Sequence, residues 1–213
     1  MQQIVVVDDH PLVRQGLRDT LNREHDLNVC GEADGLVTAL NVIRDSSPDL
    51  VTIDLGLAEG SGLELIKELS AAYPGIKLLV LSMQDEALYA DRCLRAGAHG
   101  FCGKDAPPEV ILGAVRTVME GRVYVSEEQN DRMLNRVLHG SRDAAAPMES
   151  LTDRELEVFE RIGHGLTTKE IADNLELSPK TIESYRENIK SKLGLSNAAK
   201  LQQRAVQWVV ENS

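Results

Sequence analysis

Short apolar runs at residues 4–7, 27–29, 50–53, 77–81 and 100–102 predict five strands. Residues 12–21, 37–43, 63–69, 88–94 and 110–119, which follow each run in turn, carry apolar positions at the spacing of an amphipathic helix. This alternation predicts an α/β fold, a five-stranded parallel, doubly wound sheet with helices on both faces. Such sheets gather ligands at the carboxyl ends of their strands.

After Val125 the texture changes. Residues 127–138 form a polar helical stretch, and Gly140-Ser-Arg-Asp-Ala-Ala-Ala-Pro147 lacks core-forming side chains, which reads as a linker. Beyond it no strand pattern occurs, and four short helices are expected from about Asp153, Thr168, Pro179 and Asn197. The organisation predicted is therefore a first domain over 1–122, a partly helical linker over 123–149, and an all-α four-helix domain over 150–213.

The first predicted strand runs into Asp8-Asp9 and the third into Asp54, so a parallel sheet would bring three carboxylates to one edge. Two like charges ~4 Å apart repel by about 4 kcal/mol at an effective dielectric near 20, so such a site needs a proton, a lysine or a cation. Lys104, just past the fifth strand, supplies one positive charge. All-oxygen ligands with room for water suit Mg²⁺ better than zinc. Asp54 could act as a nucleophile toward a phosphoryl group, with Lys104 and Mg²⁺ offsetting charge and Ser82 hydrogen-bonding the group.

The bulk properties narrow the setting. A net charge of -11 excludes non-specific nucleic-acid binding over the whole surface, so any DNA contact must be local. The start of the chain is no signal peptide and nothing approaches a spanning length, so a cytoplasmic protein with no membrane partner is expected. Cys30, Cys93 and Cys102 are widely spaced and read as small core residues rather than metal or redox groups.

Val-Val-Val-Asp-Asp-His-Pro at 5–11, Asp54-Leu55, Leu81-Ser82 and Gly100-Phe-Cys-Gly-Lys104-Asp-Ala resemble the receiver domain of response regulators over about residues 3–121. The resemblance implies that a sensor histidine kinase phosphorylates Asp54. It also implies that Asp9, with Asp8 near, and Asp54 hold Mg²⁺ beside the Gly56 carbonyl, and that Ser82 and Phe101 switch together. The alternative for Phe101 is a plain core residue. Where many relatives read Asp-Leu-x-Met-Pro-Gly, this chain has Asp54-Leu-Gly-Leu-Ala-Glu59. Ala58 thus loses a fixed φ and Glu59 adds an acid, both bearing on Mg²⁺ affinity and phosphoryl lifetime.

In the second half, Thr152 with Glu155 and Thr167 with Glu170 form capping boxes, and Ser178-Pro179 supplies an N-cap and an N1 proline. Two short helices joined by about three residues fit a helix-turn-helix. Ile182, Tyr185, Ile189 and Leu193 form the inward stripe of the third helix, and Lys180, Glu183, Ser184 and Glu187 the outward face, flanked by Arg186, Lys190 and Lys192.

Leu-Thr-x-Arg-Glu, Gly165-Leu-Thr-x-Lys-Glu-Ile-Ala172 and Ser178-x-Lys-Thr-Ile-Glu-Ser-Tyr-Arg-x-Asn-Ile-x-x-Lys-Leu193 resemble the LuxR-type helix-turn-helix of NarL/FixJ response regulators. By that resemblance Glu183, Ser184 and Glu187 face bases of double-stranded DNA, and Lys169, Lys180, Thr181 and Arg186 contact phosphates. Ala198, Leu201, Ala205 and Trp208 on the last helix either pack inside the domain or pair two domains in an active homodimer. The function implied is a phosphorylation-activated transcriptional regulator rather than an enzyme. Its alternatives are a regulator whose receiver works without phosphate and an aspartate-nucleophile phosphatase, which the absence of Asp-x-Asp at Asp54 disfavours.

Overall fold

The computed structural model describes residues 1–57, 60–139, 147–175 and 177–211 and divides into two compact units, Met1–Asn130 and Asp131–Ser213. The core of the expected linker, 140–146, and the Ala58-Glu59 departure lie outside the described residues.

In the first unit β1 (Gln2–Val7), β2 (Leu27–Ala33), β3 (Leu50–Ile53), β4 (Lys77–Ser82) and β5 (Gly100–Gly103) form one parallel sheet in the order β2-β1-β3-β4-β5. The central runs IVVV, LVTI and LLVLS are buried along their length, as strands covered on both faces must be. Ile4, Val6, Leu50, Leu79, Leu81 and Cys102 face one way, into a core shared with α1 (Pro11–Asn22) and α5 (Pro108–Met119). Alternation along the strands turns Val80, Ser82 and Phe101 to the other face. That face is covered by α2 (Leu36–Ser46), α3 (Gly62–Ala72) and α4 (Glu86–Ala96).

This unit runs to Asn130, past the boundary of 122 read from the sequence. Tyr124 adds a parallel bridge to Gly100 on the outer edge of β5, its carbonyl accepting the Phe101 N–H at 2.8 Å. The Ser126 N–H then donates to Glu86 of α4 at 2.8 Å, just before α6 (Glu127–His139).

The second unit contains α7 (Asp153–Gly163), α8 (Thr168–Asn174), α9 (Pro179–Lys192) and α10 (Ala198–Glu211). Both capping boxes form, Thr152 with Glu155 and Thr167 with Glu170, and Ser178 caps α9. Ile182 and Ile189 are fully buried, whereas Tyr185 and Leu193 of the same stripe are half-buried. α10 packs on α7 through Trp208, whose ring meets Phe159 edge-on at 6.0 Å. Gly163 permits this contact, since a Cβ there would lie 2.6 Å from the Ala205 carbonyl oxygen.

Candidate functional site

The parallel register builds the acidic pocket. Val7 pairs with Ile53, Ile53 with Val80 and Ser82 with Gly103, so the residue after each strand emerges at the same edge. The ladder continues one step past the strands, the Asp8 N–H donating to Ala33 and the Asp54 N–H to Val7. The Lys104 N–H likewise donates to the Ser82 carbonyl at 3.0 Å. Gly62 at the start of α3 lies so close to the Asp54 backbone that a Cβ there would sit 2.1 Å from its carbonyl oxygen, so only glycine fits.

Asp8 and Asp54 are both buried, and Lys104 Nζ stands 2.6 Å from a carboxylate oxygen of each. Ligand atoms of Asp8, Asp9, His10 and Asp54 lie within 4.8 Å of one another. One lysine shared by these acids leaves negative charge in excess. Burial pushes the Asp54 carboxyl above the ordinary aspartate range, with Asp8 adding to the rise, although Lys104 and a hydrogen bond from the Gly56 backbone oppose it. His10 Nδ1 approaches Asp9 Oδ1 at 2.6 Å from an exposed ring.

Asp8 Oδ2 and Asp9 Oδ1 are buried, and the close contacts they make are with the Lys104 ammonium and the His10 ring, each at 2.6 Å. Buried carboxylate oxygens that share one lysine, converging in a set dominated by oxygen, fit a hard divalent cation. Gly56, expected to present its carbonyl, is seen here through its N–H to Asp54.

Ser82 and Phe101 are buried on the same face of neighbouring strands. Sequence reading passed over Arg14, whose guanidinium donates to the Asp8 carbonyl at 2.5 Å, and His10 as a member of the acidic cluster. A basic residue one turn into the helix after Asp8-Asp9 was the available signal for Arg14.

In the helical domain Lys169, Lys180, Glu183, Ser184 and Glu187 are exposed on α8 and α9. Thr181 and Arg186 are half-buried at the edge of that face. Glu183 accepts from Thr168 Oγ1 at 2.7 Å, which ties α9 to the start of α8, and Glu187 pairs with Lys190 at 2.8 Å. Lys192, read from sequence as a flank of the DNA face, instead reaches back to buried Glu155 at 2.6 Å.

Of the four residues considered for pairing two domains, Leu201, Ala205 and Trp208 are buried in their own domain. Their burial favours the first of the two alternatives, packing inside the domain. Ala198 is exposed, as are Val206 and Val210, which are four residues apart on the same helix.

Residues 4–116 match the family described as "Response regulator receiver domain", and residues 149–205 that described as "Bacterial regulatory proteins, luxR family". Over 209 residues the chain is 35% identical to the oxygen regulatory protein NreC of Staphylococcus aureus, covering 96% of each. It is similar to the structure of RcsB from Salmonella enterica serovar Typhimurium bound to the promoter P1flhDC in the presence of phosphomimetic BeF₃⁻. There the identity is 25%, the TM-score 0.74, and the coverage 96% of this chain and 98% of that one. A structure of two RcsB dimers bound to two parallel DNAs matches with 26% identity and a TM-score of 0.58, covering 95% of this chain and 96% of that one. Among the described residues no helix is long and apolar enough to cross a membrane. The chain belongs to the DNA-binding transcriptional response regulators that join a receiver domain to a LuxR-type helix-turn-helix, a family of regulators rather than enzymes.

Proposed function

We propose that Asp54 is the phosphoacceptor, that a sensor histidine kinase is the donor, and that the modified chain binds operator DNA as a homodimer. The observation that carries this reading is Lys104 Nζ at 2.6 Å from both Asp8 and Asp54 in a buried pocket with excess negative charge. An Asp54 carboxylate oxygen attacks phosphorus, the phosphorus–nitrogen bond of the kinase phosphohistidine breaks, and the imidazole leaves with the electron pair. Lys104 turns from Asp54 to an oxygen of the arriving group, and the Ser82 hydroxyl, whose oxygen accepts from the Gln84 N–H at 3.2 Å, donates its own hydrogen to another. Phe101 then repacks with Ser82 on their shared face.

Asp8, Asp9, Asp54 and the Gly56 carbonyl would hold Mg²⁺, which when bound offsets charge on the phosphoryl oxygens. In the second domain Glu183, Ser184 and Glu187 meet base edges, while Lys169, Lys180, Thr181 and Arg186 meet phosphates. Ala198, Val206 and Val210 offer the exposed side of α10 for pairing. Residues 1–122, 123–149 and 150–213 are the receiver, linker and DNA-binding segments of this scheme, with the bridge at Tyr124 a close companion of the receiver.

The test is intact-mass measurement after treatment with a small phosphodonor and Mg²⁺. The wild-type chain gains one phosphoryl group and Asp54→Asn none, and operator affinity rises with the gain. Equal labelling of both chains rejects Asp54 as acceptor.

A further inference from the structure

The Asp8-Asp9 turn faces a mechanical problem. Its carboxylates converge on Asp54 and repel one another, yet Asp8 lies past the last paired residue of β1. On one side the Asp8 N–H is held by the Ala33 carbonyl at 3.0 Å. On the other side Arg14, in the first turn of α1, donates from a terminal guanidinium nitrogen to the Asp8 carbonyl at 2.5 Å. The peptide plane after Asp8 is thus fixed by a side chain where the sheet no longer supplies a partner.

Arg14 is itself braced. Its Nε lies 3.8 Å from Glu32 on β2, and Glu32 also pairs with Arg18 at 2.8 Å. Glu32 balances the guanidinium charge, so Arg14 can hold the turn through the backbone while Lys104 serves the carboxylates. The Val13 and Arg14 N–H groups both donate to the His10 carbonyl, and the His10 N–H donates to Asp8 Oδ1 at 2.9 Å. Turn, helix start and carboxylate therefore move as one piece, and Arg14 pins that piece to β2.

We infer that Arg14 is a positioning residue for metal binding: it sets Asp8 and Asp9 so that their buried, converging oxygens present a ready cation site. The inference rests on the proposed Mg²⁺ site, and it assigns no contact between Arg14 and the metal or the phosphoryl group.

The experiment is Mg²⁺ titration of the full chain by calorimetry for wild type, Arg14→Ala, Arg14→Lys and Arg18→Ala. Labelling of Asp54 by a small phosphodonor is then followed as Mg²⁺ is varied. Removing a residue that orients metal ligands typically weakens binding 10- to 100-fold, so Arg14→Ala should raise the Mg²⁺ dissociation constant by about tenfold or more. Arg14→Lys should fall between Arg14→Ala and wild type, because an ammonium reaches the Asp8 carbonyl without also holding Glu32. Arg18→Ala shares Glu32 but does not touch Asp8, and it should change the constant by less than about twofold.

The Mg²⁺ concentration for half-maximal labelling should follow the dissociation constant, with the rate at saturating Mg²⁺ nearly unchanged. If Arg14→Ala fails to fold, Arg14→Lys decides: binding equal to wild type overturns the inference. Equal weakening by Arg18→Ala also overturns it, since general charge near Glu32 would then explain the effect. Loss of the saturated rate at unchanged affinity does so too. A wild-type chain that binds no Mg²⁺ rejects the metal reading and this inference together, whereas normal wild-type binding with an unaffected Arg14→Ala rejects this inference alone.

Discussion

Each domain buries a carboxylate against a lysine at 2.6 Å, Asp54 with Lys104 in the receiver and Glu155 with Lys192 in the helix-turn-helix. The two carboxyls nevertheless move in opposite directions. Asp54 is pushed up by burial, and its lysine is divided with Asp8. Glu155 also feels burial, but hydrogen bonds from Lys192 and the Thr152 backbone outweigh it and hold the carboxyl below its usual range. The difference lies in how many acids each lysine serves. Lys192 and the Thr152 N–H both serve Glu155, a satisfied pair that locks a helix start, whereas Lys104 is divided between two buried acids, an underserved pair that keeps charge available for a cation and a phosphoryl group.

Exchanging the roles of the two lysines tests this contrast most severely. Lys104→Ala should slow Asp54 phosphorylation by about 100-fold or more, the usual loss when a preorganised charge is removed from a transferring group. Lys192→Ala should leave the labelling rate unaltered, because its partner closes a helix cap. Time-resolved intact mass reads both variants, and labelling at the wild-type rate in Lys104→Ala would break the comparison.

Glu155→Ala comes next in size. It removes the reciprocal half of a capping box and a buried charge-assisted hydrogen bond, together worth about 2 kcal/mol. Trp208 is the sole tryptophan and packs in this core, so its fluorescence in urea reports the helical domain alone. A midpoint equal to wild type would mean the pair carries no structural load.

How far each site could be read from sequence follows from the range of its contacts. Asp8, Asp54, Ser82 and Lys104 were legible because strand ends in a parallel sheet share an edge, so topology alone brings them together. The capping boxes at Thr152 and Thr167 were legible because they close over three residues. Lys192 was misread because its partner Glu155 is 37 residues away and an amphipathic helix gives no sign of which lysine turns inward. The same limit applies to α10, where Leu201 and Trp208 follow a spacing that fits an internal core and a dimer seam equally well. Tyr124 was placed in the linker because a single bridge to Gly100 leaves no strand pattern.

A smaller effect of opposite sign is expected at Asp54. Asp54→Asn removes one member of the crowded acidic group while Lys104 keeps Asp8. The receiver should therefore gain about 1 kcal/mol, a fraction of the ~4 kcal/mol repulsion between unit charges 4 Å apart at an effective dielectric of 20. Native-state amide exchange of β1 and β3 in the full chain measures the gain, and a loss of protection would show that the Lys104 pair outweighs the crowding.

The smallest effect is the pH response, and there the two pairs should diverge. Asp54 is raised from 3.8, so between that value and its folded one the folded receiver binds more protons than the unfolded chain. The penalty of the charged pocket is complete above the folded value and is relieved as pH falls through it toward 3.8. Glu155 is lowered from 4.5, so its contribution is complete above 4.5 and is lost as pH falls through its folded value. Other carboxylates titrate in the same range, so each effect is read as a difference from a variant that cannot titrate at the position. The advantage of Asp54→Asn over wild type should shrink as the medium is acidified toward 3.8, by amide exchange in the receiver strands. The disadvantage of Glu155→Gln should hold steady down to 4.5 and shrink only below it, by Trp208 fluorescence in urea. If both differences narrow over the same interval, the two carboxylates share one environment in effect, and the distinction between a satisfied pair and an underserved one fails.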